Sequence, residues 1–346
     1  MKRTLLTAAA ALSLSLPASA QDEPEGAPSP NQIVETASPN EWVAIDAEDL
    51  LIMTLAPDAD GSERQVIIQL IPGPFSQGWV ANIRSLARAH WYDGISVNRV
   101  QDNYVVQWGH PGYDNPESGE ADTKPLPDGL KVMSDEDYVV QGLRNRNWRS
   151  LHWLVAHGED LRRRSDPDLS PSMPASMRTA PDSYGAEPGI SGGFPIAKFA
   201  GNRGFGPVHC YGMVGVGRGY SPDTGSGAEL YTVIGHAPRH LDRNIALVGR
   251  IIAGMEHLSS LPRGTGTLGF YTEDEAELRT PIQSTRVASD LPVAERPAFE
   301  YLSTEGDTFA RYADARANRR DPFFIVPAGG ADICNIPVPV RSATSE

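Results

Sequence analysis

Residues 91–111, WYDGISVNRVQDNYVVQWGHP, constrain this chain more tightly than any other stretch. Tyr92-Asp93-Gly94 is a turn signal, and short runs of β-type residues at 95–100 and 104–108 lie on either side of Asp102-Asn103. The spacing predicts two paired strands. Arg99 stands inside the first run, where alternation would place an apolar or neutral residue, and Gln107 holds a similar place in the second. Two long polar side chains on one sheet face mark a candidate site.

The same residues carry a resemblance. The segment resembles the cyclophilin signature, which reads roughly YDG-x-x-F-H-R-V followed by F-M-x-Q-G-G. This chain keeps YDG, Arg99, Val100, Gln107 and Gly109, with Tyr104 for a phenylalanine and Val97-Asn98 where the family has Phe-His. The stretch VANIRSLARAHWYDG is similar to the family helix that carries N-F-x-x-L and leads into YDG. A second block, residues 212–261, keeps Gly212, Arg218, Pro222, Tyr231, Leu241-Asp242, Gly249-Arg250 and Gly254-Met255. The family pattern there is roughly G-x-x-x-M-A-R, a Pro-Asn loop, G-S-Q-F-F-I, L-D and F-G-x-V-x-x-G-M.

The resemblance implies a mainly β fold: a closed eight-stranded antiparallel β-barrel capped by two α-helices. It would occupy residues 42–290, with a long insertion at about 112–206 and a C-terminal extension, 291–346, packed on the barrel. It also implies a peptidyl-prolyl cis-trans isomerase that uses no cofactor or metal and acts on proline-containing peptide segments. Arg99 is then the catalytic residue. Tyr104, Val105 and Tyr231 match the apolar pocket for the proline ring, Gln107 a residue that binds substrate backbone, and Leu241 the pocket edge. Asn98, Gly217, Glu229 and His240 complete the expected substrate-binding set. Three departures fall at this site: Asn98 and Ile245 stand for histidines, and His240 where many members have tryptophan. Glu229 replaces a glutamine. These changes and the insertion keep an alternative open, a non-catalytic proline-peptide chaperone or an envelope scaffold module.

Other features bound the setting. Lys2-Arg3, an apolar run over 5–16 and Ala18-Ser19-Ala20 read as a secretory signal peptide spanning 1–20, which points to a periplasmic protein. Residues 21–41, rich in Pro, Glu, Ala and Ser, read as a flexible leader, with structure beginning near Trp42. The whole chain carries 30 basic against 44 acidic residues, net minus 14, which argues against nucleic acid or an anionic membrane as the main partner. The proteins of the exported compartment are the expected partners, with no stable membrane insertion. Cys210 and Cys334 have no CxxC neighbours, and in an oxidising compartment one structural disulfide is expected, with two buried free thiols as the alternative.

Runs at 50–55 and 66–70 read as the first barrel strands, joined across Asp58-Ala59-Asp60-Gly61. Trp79, Ile83 and Leu86 fall on one face of a helix that Ser76 can cap. Residues 282–288 read as the last barrel strand. A further helix over 308–319, capped by Asp307 with Phe309, Tyr312 and Ala313 inward, and a strand at 323–326 are expected in the extension. Within the insertion lie Arg144, Arg146, Arg149, Arg162, Arg163 and Arg164, which fit pairing with the chain's own carboxylates or docking of an acidic partner. His152 and His157, five apart, match no metal-ligand spacing. Gly215, Gly217 and Gly219 lack the surrounding βαβ unit of a dinucleotide loop; His236 and His240 lack the glutamate of HExxH, and no GxSxG is present.

Overall fold

The computed structural model describes residues 26–110, 123–143, 149–151, 184–185, 187–201, 203–328 and 330–343. The expected signal peptide, the arginine group apart from the backbone of Arg149, and both His152 and His157 lie outside the described residues.

The chain starts with α1 (Pro30–Glu35) and β1 (Trp42–Ala44), then enters the barrel with β2 (Leu50–Leu55) and β3 (Arg64–Leu70). The β2–β3 connection is tightened by Asp58, whose carboxylate accepts from the backbone of Asp60 and Ser62. After α2 (Gln77–Arg88) come β4 (Ser96–Val100) and β5 (Val105–Gly109), the strand pair expected from the opening motif. Four strands of the insertion follow: β6 (Arg149–Ser150), β7 (Glu187–Ser191), β8 (Phe194–Lys198) and β9 (Phe205–Pro207). The barrel resumes with β10 (Met213–Val216), β11 (Leu230–Val233), β12 (Leu247–Ala253) and β13 (Ile282–Val287). The extension adds β14 (Phe299–Leu302), a helix at Asp307–Ala317 and β15 (Val340–Ser342).

Eight strands form one antiparallel sheet in the order β13-β2-β3-β12-β10-β11-β5-β4. It curls into a nearly closed barrel. Its two ends meet where Ile282 donates to Ile95 O (2.7 Å), Gly94 to Ile282 O and Val97 to Thr280 O. The YDG turn is stapled across this seam: Asp93 takes both guanidinium nitrogens of Arg286 at 2.7 Å. Side chains fill the barrel, among them Met53, Ile68, Val106, Trp108 and Val214.

The run LLIMTL of β2 is apolar on both faces for a tertiary reason. Leu51, Met53 and Leu55 join the main core, whereas Leu50 and Ile52 pack outward with Ile67 against Phe299, Tyr301 and Val340 of the extension. That extension forms a separate sheet, β1-β14-β15. The insertion likewise has its own sheet, β6-β7-β8-β9, tied to the barrel where Arg250 donates to Gly193 O (2.9 Å). Cys210 and Cys334 are joined as a disulfide, which fastens the extension beside the start of β10.

Helix α2 packs on the barrel with Trp79, Ile83 and Leu86 fully buried, as the periodicity predicts. Several local expectations differ from what forms. Ser76 occupies the position before α2 but makes no side-chain cap; its backbone is left-handed (φ 53°), and Gln77 instead donates to the carbonyls of Ile71 and Phe75. The second capping helix is a single turn, Glu256–Ser259. Order begins before Trp42, because Ser29 and Gln32 form a capping box on α1 and Ile33 is buried against the extension helix. That helix has Asp307 as its first residue rather than its cap, and it buries Phe309, Tyr312 and Ala313. Residues 323–326 form no strand, and Phe323, Ile325 and Val326 are exposed instead of pairing.

Candidate active site

The groove lies on the outside of the barrel, over β4, β5, β10 and β11, and encloses about 600 Å³. Its floor is a small cluster separate from the barrel core. Val105, Tyr231 and Val233 are buried together, with Tyr104 and Ile245 packed on them. This separation follows from the period of two along β5: Val106 and Trp108 point into the barrel while Val105 and Gln107 point to the groove.

A β-bulge interrupts β4 next to the arginine. Val97 pairs with Trp108 and Arg99 with Gln107, so β4 spends two residues where β5 spends one, and Asn98 is the extra residue. The alternation is broken there, so Val97 and Val100 both face the core while Arg99 lies beside Gln107 on the groove face. Nη1 of Arg99 donates to Gln107 Oε1 (3.1 Å), Nε donates to Leu268 O (2.7 Å), and Nη2 donates to Gln101 Oε1. Tyr104 and Phe270 flank the guanidinium, with ring centroids 5.5 and 5.3 Å from Cζ. Burial pushes the guanidinium down from its ordinary value, while Tyr104 and Glu229 pull the other way.

Gln107 has its amide orientation decided by its neighbours. Its Oε1 accepts from Arg99 and its Nε2 donates to Glu229 Oε2 (2.9 Å); the flipped amide would set a donor against the guanidinium. Glu229, buried at 4 % exposure, therefore acts on the groove through Gln107. Leu268 has a left-handed backbone (φ 57°), a conformation that costs a non-glycine residue about 1–2 kcal/mol. The strain turns its carbonyl onto Arg99. Pocket residues Gly217, Leu241 and Ile245 close one side, and Thr267, Leu268 and Phe270 the other.

The family model for "Cyclophilin type peptidyl-prolyl cis-trans isomerase/CLD" matches residues 78–287. The chain belongs to the cyclophilin family. Among solved structures it is similar to cyclophilin AquaCyp293 from Hirschia baltica, with 19% identity and a TM-score of 0.54, over 88% of this chain and 94% of that one. A Cryptosporidium parvum cyclophilin type peptidyl-prolyl cis-trans isomerase, in the presence of the dipeptide Ala-Pro, is 9% identical with a TM-score of 0.34, over 69% of this chain and 98% of that one. No curated relative matches. This cyclophilin is a peptidyl-prolyl cis-trans isomerase, mainly β and barrel-shaped.

Of the residues expected at the site, Arg99, Tyr104, Val105, Gln107, Gly217, Tyr231 and Leu241 line one groove. Three stand elsewhere. Asn98 is turned inward by the bulge: its Nδ2 donates to Gly109 O (2.9 Å) and its Oδ1 accepts from Ser96 Oγ (2.7 Å), so it holds the strand pair together and does not face substrate. His240 is exposed on the turn Arg239–Leu241, outside the groove. Glu229 sits behind Gln107 and opens onto a neighbouring pocket of about 320 Å³ with Thr123, Arg218 and Asp223.

The wall made by Thr267, Leu268 and Phe270 is not legible in the sequence. It is laid against β4 by Tyr271, which donates to Asn98 O (2.9 Å), about 170 positions from Arg99 in the chain, and its glycine-rich loop carries no periodic signal. Nor does the sequence signal His209, which lies under the pocket and hydrogen-bonds to Tyr231. Among the described residues no group of three or more His, Cys, Asp or Glu could hold a metal ion, and no helix is long and apolar enough to cross a membrane.

Proposed function

We propose that this cyclophilin isomerises X-Pro bonds of exported proteins in an oxidising compartment such as the periplasm, and that Arg99 is its catalytic residue. Rotation about an X-Pro bond faces a barrier of ~18–20 kcal/mol because the amide is partly double-bonded. In the twisted transition state that resonance is lost and the proline nitrogen regains its lone pair. A donor beside that nitrogen then binds the twisted state more tightly than either planar one, and no covalent step is needed.

The observation that carries the reading is the placement of a half-buried guanidinium at the rim of the Tyr104, Val105 and Tyr231 pocket. A proline ring seated in that pocket brings its nitrogen and carbonyl towards Arg99. Among the described residues, three of the five N–H groups of the guanidinium are engaged, by Leu268, Gln107 and Gln101, which fix its plane and leave two for substrate. The export reading is supported by the apolar run with Lys2-Arg3 at the start of the sequence and by the disulfide, a bond that persists in oxidising compartments.

A protease-coupled assay with a proline test peptide on the purified protein tests the activity at this groove. Acceleration that is lost in Arg99→Ala is the expected result. Binding of proline peptides without acceleration would replace this reading with the chaperone one. Localisation is tested separately by fractionating cells and measuring the intact mass of the exported chain, which should lack the first 20 residues.

A further inference from the structure

Tyr231, on the pocket floor, stands where the family pattern has an apolar phenylalanine, so its hydroxyl needs a partner. Its ring lies across Gly215: a Cβ added at Gly215 would come within 2.3 Å of both Cζ and Oη of Tyr231. The hydroxyl points away from the groove, to His209 Nε2 at 2.8 Å. His209 is fully buried, and its other ring nitrogen, Nδ1, lies 2.9 Å from Asp242 Oδ1. The same oxygen accepts the backbone N–H of His209 (2.9 Å), and Asp242 Oδ2 accepts from Arg239 Nε (2.6 Å). A carboxylate at Nδ1 can only accept, so Nδ1 carries the proton. Nε2 is then the acceptor for the Tyr231 hydroxyl.

We propose that His209, oriented by Asp242 and Arg239, is a positioning residue for peptidyl-prolyl isomerisation: it draws the polar end of Tyr231 out of the proline pocket and pins the ring as the pocket floor. The inference rests on the reading of this groove as the X-Pro site. An unanchored phenol on the floor would leave a donor inside an apolar pocket or let the ring shift under the proline, misaligning it with Arg99. Losing that alignment is costly because catalysis here is positioning, and a displacement of about 1 Å can cost up to ~100-fold.

The chain also has a pH sense. Once protonated, His209 has no acceptor left at Nε2; the Tyr231 hydroxyl must become the acceptor and turn its own proton elsewhere, the groove included. The groups that face His209 are Tyr231 from β11, and Asp242, Arg239 and His240 from the turn before β12; Asp332 of the extension lies 3.9 Å from Arg239. Tyr104, Tyr138 and Arg218 face Tyr231. Burial pushes His209 below the usual histidine value in spite of Asp242, so the neutral, anchoring form holds at neutral pH and the change falls in acid.

The test is a protease-free exchange assay on a proline peptide, from pH 8 down to 4.5, with folding checked by circular dichroism at each pH. Wild type should hold a flat kcat/KM and lose activity below the ordinary histidine range. His209→Leu should lower kcat/KM at pH 7.5 by at least about fivefold, well within that ~100-fold. His209→Gln, whose side-chain oxygen can take the place of Nε2 without titrating, should recover most of the activity and lack the acidic limb. Tyr231→Phe should also lack the limb, and it carries the test with His209→Gln if His209→Leu fails to fold. A folded His209→Leu with wild-type kcat/KM, or an acidic limb that survives in Tyr231→Phe, overturns the proposal. Arg99→Ala separates the two claims: if it keeps full activity the groove reading falls and this inference with it, and if it is inactive while His209→Leu is normal, the positioning role alone is refuted.

Discussion

Replacing Arg99 by alanine puts the assigned chemistry to the sharpest test. The guanidinium's plane is set by Leu268, Gln107 and Gln101, so in the proposed mechanism its remaining donors would meet the substrate without reorganising. A hydrogen bond from a charged group contributes roughly 1.5–3 kcal/mol. If that contact is made in the twisted state and not in the planar ones, its loss at ~1.36 kcal/mol per decade lowers kcat/KM by about 10- to 150-fold. Stability should fall only modestly, because the half-buried side chain at the groove rim takes with it its bonds to Leu268, Gln107 and Gln101 but no ion pair among the described residues. Arg99→Lys should recover only a small part, since an ammonium cannot keep the Leu268 and Gln107 bonds and also present a planar fork. The readout is initial rate in the protease-coupled assay at low temperature, where uncatalysed exchange takes tens of seconds or more, alongside a thermal melt of each variant. A folded Arg99→Ala whose kcat/KM stays within twofold of wild type would refute the mechanism.

Four further outcomes follow from the geometry. Glu229→Gln should leave activity unchanged or raise it, because its side-chain oxygen can still accept from Gln107; a tenfold loss in steady-state kcat/KM would show that the negative charge is required. Gly215→Ala should reduce kcat/KM while the protein still melts cooperatively, since the new methyl displaces the Tyr231 ring; normal kinetics would mean that this ring does not shape the pocket. Cys210→Ser with Cys334→Ser opens a link between positions 124 apart and should cost about 2–4 kcal/mol in urea unfolding, the chain-entropy limit being near 5; equal midpoints for the oxidised and double-serine proteins would contradict this. At the barrel seam, burial pushes Asp93 up, but its bonds from Arg286 and His90 prevail and hold it below the usual carboxylate value. Its stabilisation is therefore complete above the unfolded value of about 3.9 and lost as pH falls through the lower folded value. Asp93→Asn should cost about 1 kcal/mol at pH 7 and converge with wild type in stronger acid, as read by chemical denaturation across pH; a gap that persists unchanged at pH 2 would assign the loss to something other than charge.

The legible part of this cyclophilin was the part coded over short distances. The β4–β5 pair could be read from its alternation and turn residues, and it lies within a residue of the expected bounds. The inward faces of α2 and of the helix Asp307–Ala317 were readable from 3.6-residue spacing. Arg99 and Gln107 share a face because directly paired residues on adjacent strands do so, a relation that two short strands and a tight turn already impose.

What the sequence by itself determined was thus the local elements and, through residue types at family-like positions, most of the groove floor. The bulge at Asn98 was decided by tertiary structure: one extra residue in β4 turns a side chain expected at the substrate into an internal strap, and nothing in the alternation of 95–100 announces the slip. The same holds for the opposite wall, where a strained Leu268 meets Arg99 only after the chain has closed the barrel and returned. The doubly apolar face of β2 reads as a buried strand, yet only the packed extension shows what covers it. His209 is the extreme case. A lone histidine before a cysteine has no pattern of its own, and its meaning comes from three-dimensional neighbours, Tyr231 and Asp242, which lie 22 and 33 residues away in the chain and are brought within 3 Å by the pairing of β10 with β11 and β12.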